Sequence, residues 1–102
     1  MYKRRRRRGR QGRKPSPVFI SHTSNVKEFN PQPQNENEPI HLEHEELEVL
    51  RLVDLVGLSQ EEAGEEMRIS RGTIWRLLQR GRKKVTQALI EGRKLVIQQH
   101  ES

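Results

Sequence analysis

Two helix starts lie close together in the middle of this chain. Ser59 is followed three positions on by Glu62, a capping box in which each side chain accepts from a free backbone N–H of the first turn. Ser70 is a second N-cap residue, ahead of a long amphipathic segment. A helix opening at Ser59 must therefore end, and the chain must turn, before Ser70. The first helix can be only about eight residues long, too short to stand without packing.

The residues in between meet the steric demands of such a pair. Ala63-Gly64 supply small residues where the helices cross, Met67 anchors the last turn of the first helix, and Ile69 plugs the turn. Arg68 stands where the backbone often needs φ > 0, a conformation that costs a non-glycine residue roughly 1 kcal/mol. Ile74, Leu77, Leu78, Val85, Ala88 and Leu89 form one stripe on the second helix, which runs to Leu89 or Glu91 with Gly92 as its stop. Gly81 lies inside that stripe, and close helix packing is the expected reason. A short helix, a tight turn and a second helix are the parts of a helix-turn-helix. Its outward positions are Arg71, Gly72, Thr73, Trp75, Arg76, Gln79 and Arg80, residue types suited to phosphates and base edges.

A further helix is expected over residues 43–57. Leu42, Val49, Leu50, Leu52, Val53 and Val56 fall on one side of it, and Gly57 ends it. Leu47 and Leu55 lie outside that arc, which predicts cover on more than one side. Val18–Ile20 and Leu95–Ile97 carry the β-branched and apolar content of a small strand pair.

The charge is divided along the chain. The net charge of +6 hides nine basic groups in residues 1–14 (Lys3, Arg4, Arg5, Arg6, Arg7, Arg8, Arg10, Arg13 and Lys14) with no acid among them, and a remainder that is mildly acidic. Glu36–Glu66 holds 11 acids and one base, Arg51; Arg68–Lys84 holds seven bases and no acid. Two separate basic blocks point to a polyanionic partner. With 30% hydrophobic residues against roughly 45–50% in an average globular chain, the whole length cannot pack around a core. We expect residues 1–17 to be a disordered basic arm, 18–39 a short apolar anchor and a Pro/Gln/Asn-rich linker, 40–98 the helix-turn-helix domain, and 99–102 a tail.

The stretch EELEVLRLVDLVGLSQEEAGEEMRISRGTIWRLLQRGRKKVTQALIEGRKLVI resembles a family of small bacterial and archaeal proteins predicted to bind DNA. Their domain looks like region 4 of bacterial sigma factors. The ELEVLRLVDLVGLSQEEA core, the SRGTIWRLL segment and the closing ALIEGRKLVI carry the match, over roughly residues 40–98. The resemblance implies DNA binding and transcriptional regulation.

Other chemistries find little support. Without cysteine there is no disulfide, thiolate metal site or Cys nucleophile. His41 and His44 stand near Glu43 and Glu45, and His100 lies far along the chain. Acids at a helix start are already favoured by the helix dipole, so no metal is expected. Glu61, Glu62, Glu65 and Glu66 read as a solvated face. No nucleophile–base set or phosphate loop is present, so neither an enzyme nor a cofactor is expected. Apolar runs of two or three residues exclude a membrane helix, and the basic start lacks the apolar core of a secretory signal.

The resulting expectation is an all-α, three- to four-helix domain of sigma-region-4-like form, with at most a small strand pair. Its partner is double-stranded DNA, in the cytoplasm at the nucleoid. Arg71, Thr73, Arg76 and Gln79 are the expected groove contacts. Ser70, Arg80, Arg82, Lys83 and Lys84 are expected on phosphates, and the arm on phosphates or the minor groove. Trp75 is expected to pack against the helix over residues 43–57, with a base or sugar contact as the alternative. The acidic faces of the first two helices should point away from DNA. A homodimer through the long helix after Gln79 and the terminal strand, an RNA polymerase contact and RNA binding by the arm are the further partner readings.

Overall fold

The computed structural model describes residues 18–21 and 25–98. Strand β1 is Glu28–Phe29 and β2 is Ile40–Leu42. Helix α1 runs His44–Leu50 and continues over Arg51–Val56 in a wider, π-helical winding. Helices α2 (Gln60–Met67) and α3 (Arg71–Glu91) follow, and strand β3 is Leu95–Ile97. Among the described residues no helix is long and apolar enough to cross a membrane.

The caps form where local chemistry demands them. Ser59 Oγ accepts from Glu62 N at 3.0 Å, and Glu62 Oε1 accepts from Ser59 N at 2.8 Å. Arg68 closes α2 in the left-handed region, φ 62°, and the Ile69 N–H returns to the Gly64 carbonyl at 3.0 Å. Gly57 (φ 95°) and Gly92 (φ 64°) end α1 and α3 in the same way.

The core is one cluster of Val49, Leu52, Ala63, Met67, Ile74, Leu77 and Leu78, with Val18, Leu50, Val53, Leu58 and Ile69 packed around it. Two glycines set the helix spacing. A Cβ on Gly64 would stand 2.9 Å from the Ile69 carbonyl oxygen, so the turn can fold back onto α2 only over a residue without a side chain. A Cβ on Gly81 would stand 3.2 Å from Leu50 Cγ and Cδ1, so α1 and α3 meet closely there.

Three sequence expectations need correction. The fold is mostly helical but not all-α, because a three-stranded sheet of order β1-β3-β2 closes one end. Leu95–Ile97 is its central strand. It pairs in parallel with Ile40–Leu42 and antiparallel with Glu28–Phe29, whereas Val18–Ile20 is not a strand. Burial explains the choice: Ile40, Leu42 and Ile97 alternate into the interior, while Val18 is spent on the helical core. Secondly, Val56 is exposed. The π winding bonds i to i+5, so each residue turns less about the axis, and the end of α1 rotates off the stripe that 100° per residue projects. Thirdly, Leu89 is exposed, because the last turns of α3 bury Ala88 and the next position turns outward.

Replacing Gly64 by alanine is expected to lower stability by about 1–3 kcal/mol despite alanine's better helix propensity, because the clash is with backbone. A urea midpoint equal to or above that of the wild type would refute this account of the turn.

Candidate nucleic-acid interface

The start of α3 is built around one hydroxyl. Ser70 Oγ accepts from Thr73 N at 3.1 Å and lies 2.9 Å from Thr73 Oγ1, which in turn accepts from the Arg76 guanidinium at 3.2 Å. Ser70, Thr73 and Arg76 thus form a connected polar chain at the head of the helix. Arg71, Gly72, Arg76 and Gln79 are exposed around it, and Thr73 is half-buried. A Cβ on Gly72 would stand in ordinary contact with Arg76 Nη1 at 3.9 Å and Ser70 Oγ at 4.0 Å. Trp75 does not pack against α1 as expected. It is 52% exposed, because α1 is met by Ile74, Leu78 and Gly81 and the next position turns outward.

The cations of α3 fall into two groups. Beyond Gln79, Arg80, Arg82 and Lys84 are held by the acids of α1 and its cap. Arg80 Nε bonds Glu46 Oε2 at 3.1 Å, with Glu43 at 3.5 Å from the same guanidinium. Lys84 Nζ bonds Glu46 Oε1 at 2.8 Å, and Arg82 grips both oxygens of Asp54 at 2.7 and 3.1 Å. Among the described residues, no carboxylate lies within ion-pair distance of Arg71, Arg76 or Lys83. So the arginines at the head of α3 carry no ion pair among the described residues, while Arg80, Arg82 and Lys84 are anchors.

This arrangement corrects the expectation of an outward acidic face on α1. Glu46 is fully buried, and its Oε1 also accepts from Glu43 N at 2.9 Å, capping its own helix. Glu48 is buried as well, against Arg51 and Ser21. The Glu43–Glu46 spacing is a capping signal, but its pairing with Arg80 and Lys84 crosses more than thirty residues and leaves no local trace. Only the acids of α2, Glu61, Glu62, Glu65 and Glu66, form the exposed face expected of them.

The basic arm, Lys3, Arg4 to Arg8, Arg10, Arg13 and Lys14, lies outside the described residues. Its point of attachment is well defined. Val18 packs on the core, Phe19 N donates to the Met67 carbonyl at 3.0 Å, and the Arg68 guanidinium lies 4.3 Å from the centre of the Phe19 ring. Ser21 is held through its N–H and hydroxyl by Glu48, at 3.2 and 3.1 Å, and its hydroxyl accepts from Arg51 at 2.9 Å. The chain therefore enters the domain beside the turn that precedes α3.

The family "Protein of unknown function DUF134" matches residues 3–102. The chain belongs to this family. It is 56% identical over 69 residues to a UPF0251 protein of Thermococcus kodakarensis, covering 68% of this chain and 57% of that one. A UPF0251 protein of Pyrococcus furiosus is 63% identical over 59 residues, covering 58% and 55% of the two chains. One from Archaeoglobus fulgidus is 37% identical over 87 residues, covering 85% and 83%. The match thus spans a little over half the length of the Thermococcus and Pyrococcus relatives. No solved structure matches the chain.

In this DUF134 chain the buried and bridged carboxylates make stability depend on acid. Burial alone would raise the Glu48 carboxyl, but Arg51 and the N–H and hydroxyl of Ser21 outweigh it and hold the group below its ordinary 4.5. The Arg82 guanidinium likewise holds Asp54 below its ordinary 3.8. A carboxyl depressed on folding stabilises fully above its unfolded value and loses that contribution as pH falls through the folded one. The Glu48→Gln variant should therefore be less stable at neutral pH, yet lose stability less steeply on acidification below about pH 4.5. Urea midpoints at neutral and acid pH test this, and parallel slopes for variant and wild type would count against it. Glu46→Gln keeps the shape but weakens both cross-helix bonds, and should cost about 1.5–3 kcal/mol by the same assay. A loss below about 0.5 kcal/mol would remove Glu46 from that role.

Proposed function

We propose that this chain is a sequence-specific duplex-DNA-binding protein, serving transcriptional regulation, that reads the major groove with the first turns of α3. The observation that carries this is the sorting of charge along α3: Arg71 and Arg76 project from its head with no carboxylate on either among the described residues, whereas the acids of α1 nearest to it are each held by a cation. A phosphate backbone approaching that end meets uncompensated positive charge.

Each residue then has a role. Arg76 and Gln79 can address base edges, arginine with a two-donor fork for guanine and glutamine with an amide for adenine. Thr73 places Arg76 through the hydrogen bond it accepts. Trp75 offers an apolar surface to a sugar or a thymine methyl. Arg71 and the free N–H groups of the first turn suit a phosphate. Ser70 serves chiefly as the cap of that turn. Lys83 is the phosphate contact further along, while Arg80, Arg82 and Lys84 act mainly by fixing α3 on α1. The exposed acids of α2 keep that helix off the backbone, so α3 alone enters the groove.

The arm adds affinity without direction. Its root at Phe19 sits beside the turn, and at about 3.5 Å per residue the 17 residues before Val18 reach at most about 60 Å. That is ample for phosphates or a minor groove next to the one α3 occupies. RNA binding by the arm and a contact to RNA polymerase are the competing roles.

Selection from random duplex DNA separates these parts. Arg76→Ala should lose about 1–3 kcal/mol on the preferred site and little on others. Deleting residues 1–14 should weaken all sequences alike and flatten the dependence of affinity on salt. Arg82→Ala should act through stability rather than sequence preference. The reading is sunk if the wild type selects no sequence and shifts no duplex at low salt. Unchanged duplex affinity with lost RNA affinity on deleting the arm would assign the arm to RNA.

A further inference from the structure

A groove lies at the opposite end of α3 from the reading residues. Phe29, Pro31, Val85, Ala88 and Leu95 line it with Leu89 as one wall, and its volume is about 400 Å³. Phe29 is 59% exposed, Leu89 78% and the adjacent Ile90 79%. These are large apolar side chains on a chain that has few. Arg93 lies at the rim, but its charge is met by Glu91 at 3.1 Å, and its Nε donates to the Glu38 carbonyl at 2.8 Å.

We propose that this surface is the interface between two copies of the chain. A two-fold interface must be its own complement, so one patch has to offer both a hollow and something to fill it. This patch does: the groove between α3 and β1 is the hollow, and Leu89 with Ile90 at its edge are the projections. The rim suits self-association too, since its cation and carboxylate are paired within one copy. Two copies meet there without apposing like charges, which would otherwise cost binding energy. Contiguous apolar surface of this kind is the usual core of such contacts.

Spacing gives a second argument, which rests on the DNA-reading proposal. Thr73 and Leu89 lie on one uninterrupted helix. At 1.5 Å per residue they are about 24 Å apart along its axis. Two such helices meeting near Leu89 would hold their reading ends at one fixed separation of at most about 48 Å, a range that includes the roughly 34 Å between successive major-groove faces on one side of a duplex. Both copies could then read half-sites of a two-fold-symmetric operator.

Light scattering and sedimentation equilibrium on the full chain, without DNA and at salt high enough to silence the arm, test the interface apart from the reading. The wild type should have twice the 12.1 kDa chain mass in the micromolar range. Leu89→Glu with Ile90→Glu should weaken self-association at least about tenfold, with an unchanged helical circular-dichroism spectrum because both side chains are exposed in the single chain. Leu55→Glu, at an exposed site on α1, should leave the mass unchanged. If the double glutamate variant fails to fold, Leu89→Ser with Ile90→Ser reads the same contact more gently. A wild type that stays monomeric overturns the proposal and leaves the groove to a small apolar ligand or another protein. A dimer that survives the substitutions overturns it as well. Loss of DNA binding in a chain that still dimerises would refute the DNA reading alone.

Discussion

The carboxylate of Glu46 is the point on which the arrangement of helices turns. It is fully buried, yet it serves two helices at once. One oxygen caps α1 by accepting from Glu43 N, and the pair of oxygens binds Lys84 and Arg80 of α3. A buried charge without partners would cost several kcal/mol, so this one is tolerable only where both cations reach it. That requirement is directional in a way an apolar contact is not. Leucine at this place would pack against many orientations of α3; a carboxylate with two cations one helical turn apart accepts few. Gly81 lies within the same contact and leaves room for Leu50. Together they set both the distance and the rotation of α3, and rotation decides which side chains of its first turns face outward.

The same bonds account for how the basic residues of α3 divide. By composition, Arg71, Arg76, Arg80, Arg82, Lys83 and Lys84 are one block. In the fold, three of them are tied down by Glu46 and Asp54, and the others stay available to a partner. The acids of α1 are therefore not merely a face turned from a polyanion. They draw charge out of the shaft of α3 and leave it concentrated at the head, next to the place where the basic arm joins through Phe19 and Arg68.

What could be read from sequence follows the range of the interaction. Ser59 with Glu62, Ser70, Gly57, Gly92 and the left-handed Arg68 are settled within a few residues, and each stands where local chemistry puts it. The inward placement of Met67, Ile74 and Leu78 follows from periodicity alone. The sheet was not legible in this way. Glu28–Phe29 lies among residues that read as linker, and Leu42 fits the helical arc as well as it fits a strand. Asn35, in the same linker, closes α3 by donating its backbone N–H to the Gly92 carbonyl at 2.9 Å. These are contacts between segments more than fifty residues apart, with no periodic signature. The π winding of Arg51–Val56 is missed for another reason, since a 100° projection assumes the pitch that the segment abandons. At the interface, residue types marked the head of α3 correctly as exposed and polar. They could not tell an arginine without a carboxylate partner from one that is already bound.

The misplaced apolar residues are as informative as the buried ones. Leu89 continues the stripe begun by Ile74, so its sequence position is that of a core residue, yet among the described residues it stays exposed. Because α3 is a single rod of 21 residues, the end that lacks cover and the end that carries free arginines hold a fixed separation. Any contact between two copies at Leu89 and Ile90 would therefore also set where the arginines of the second copy lie.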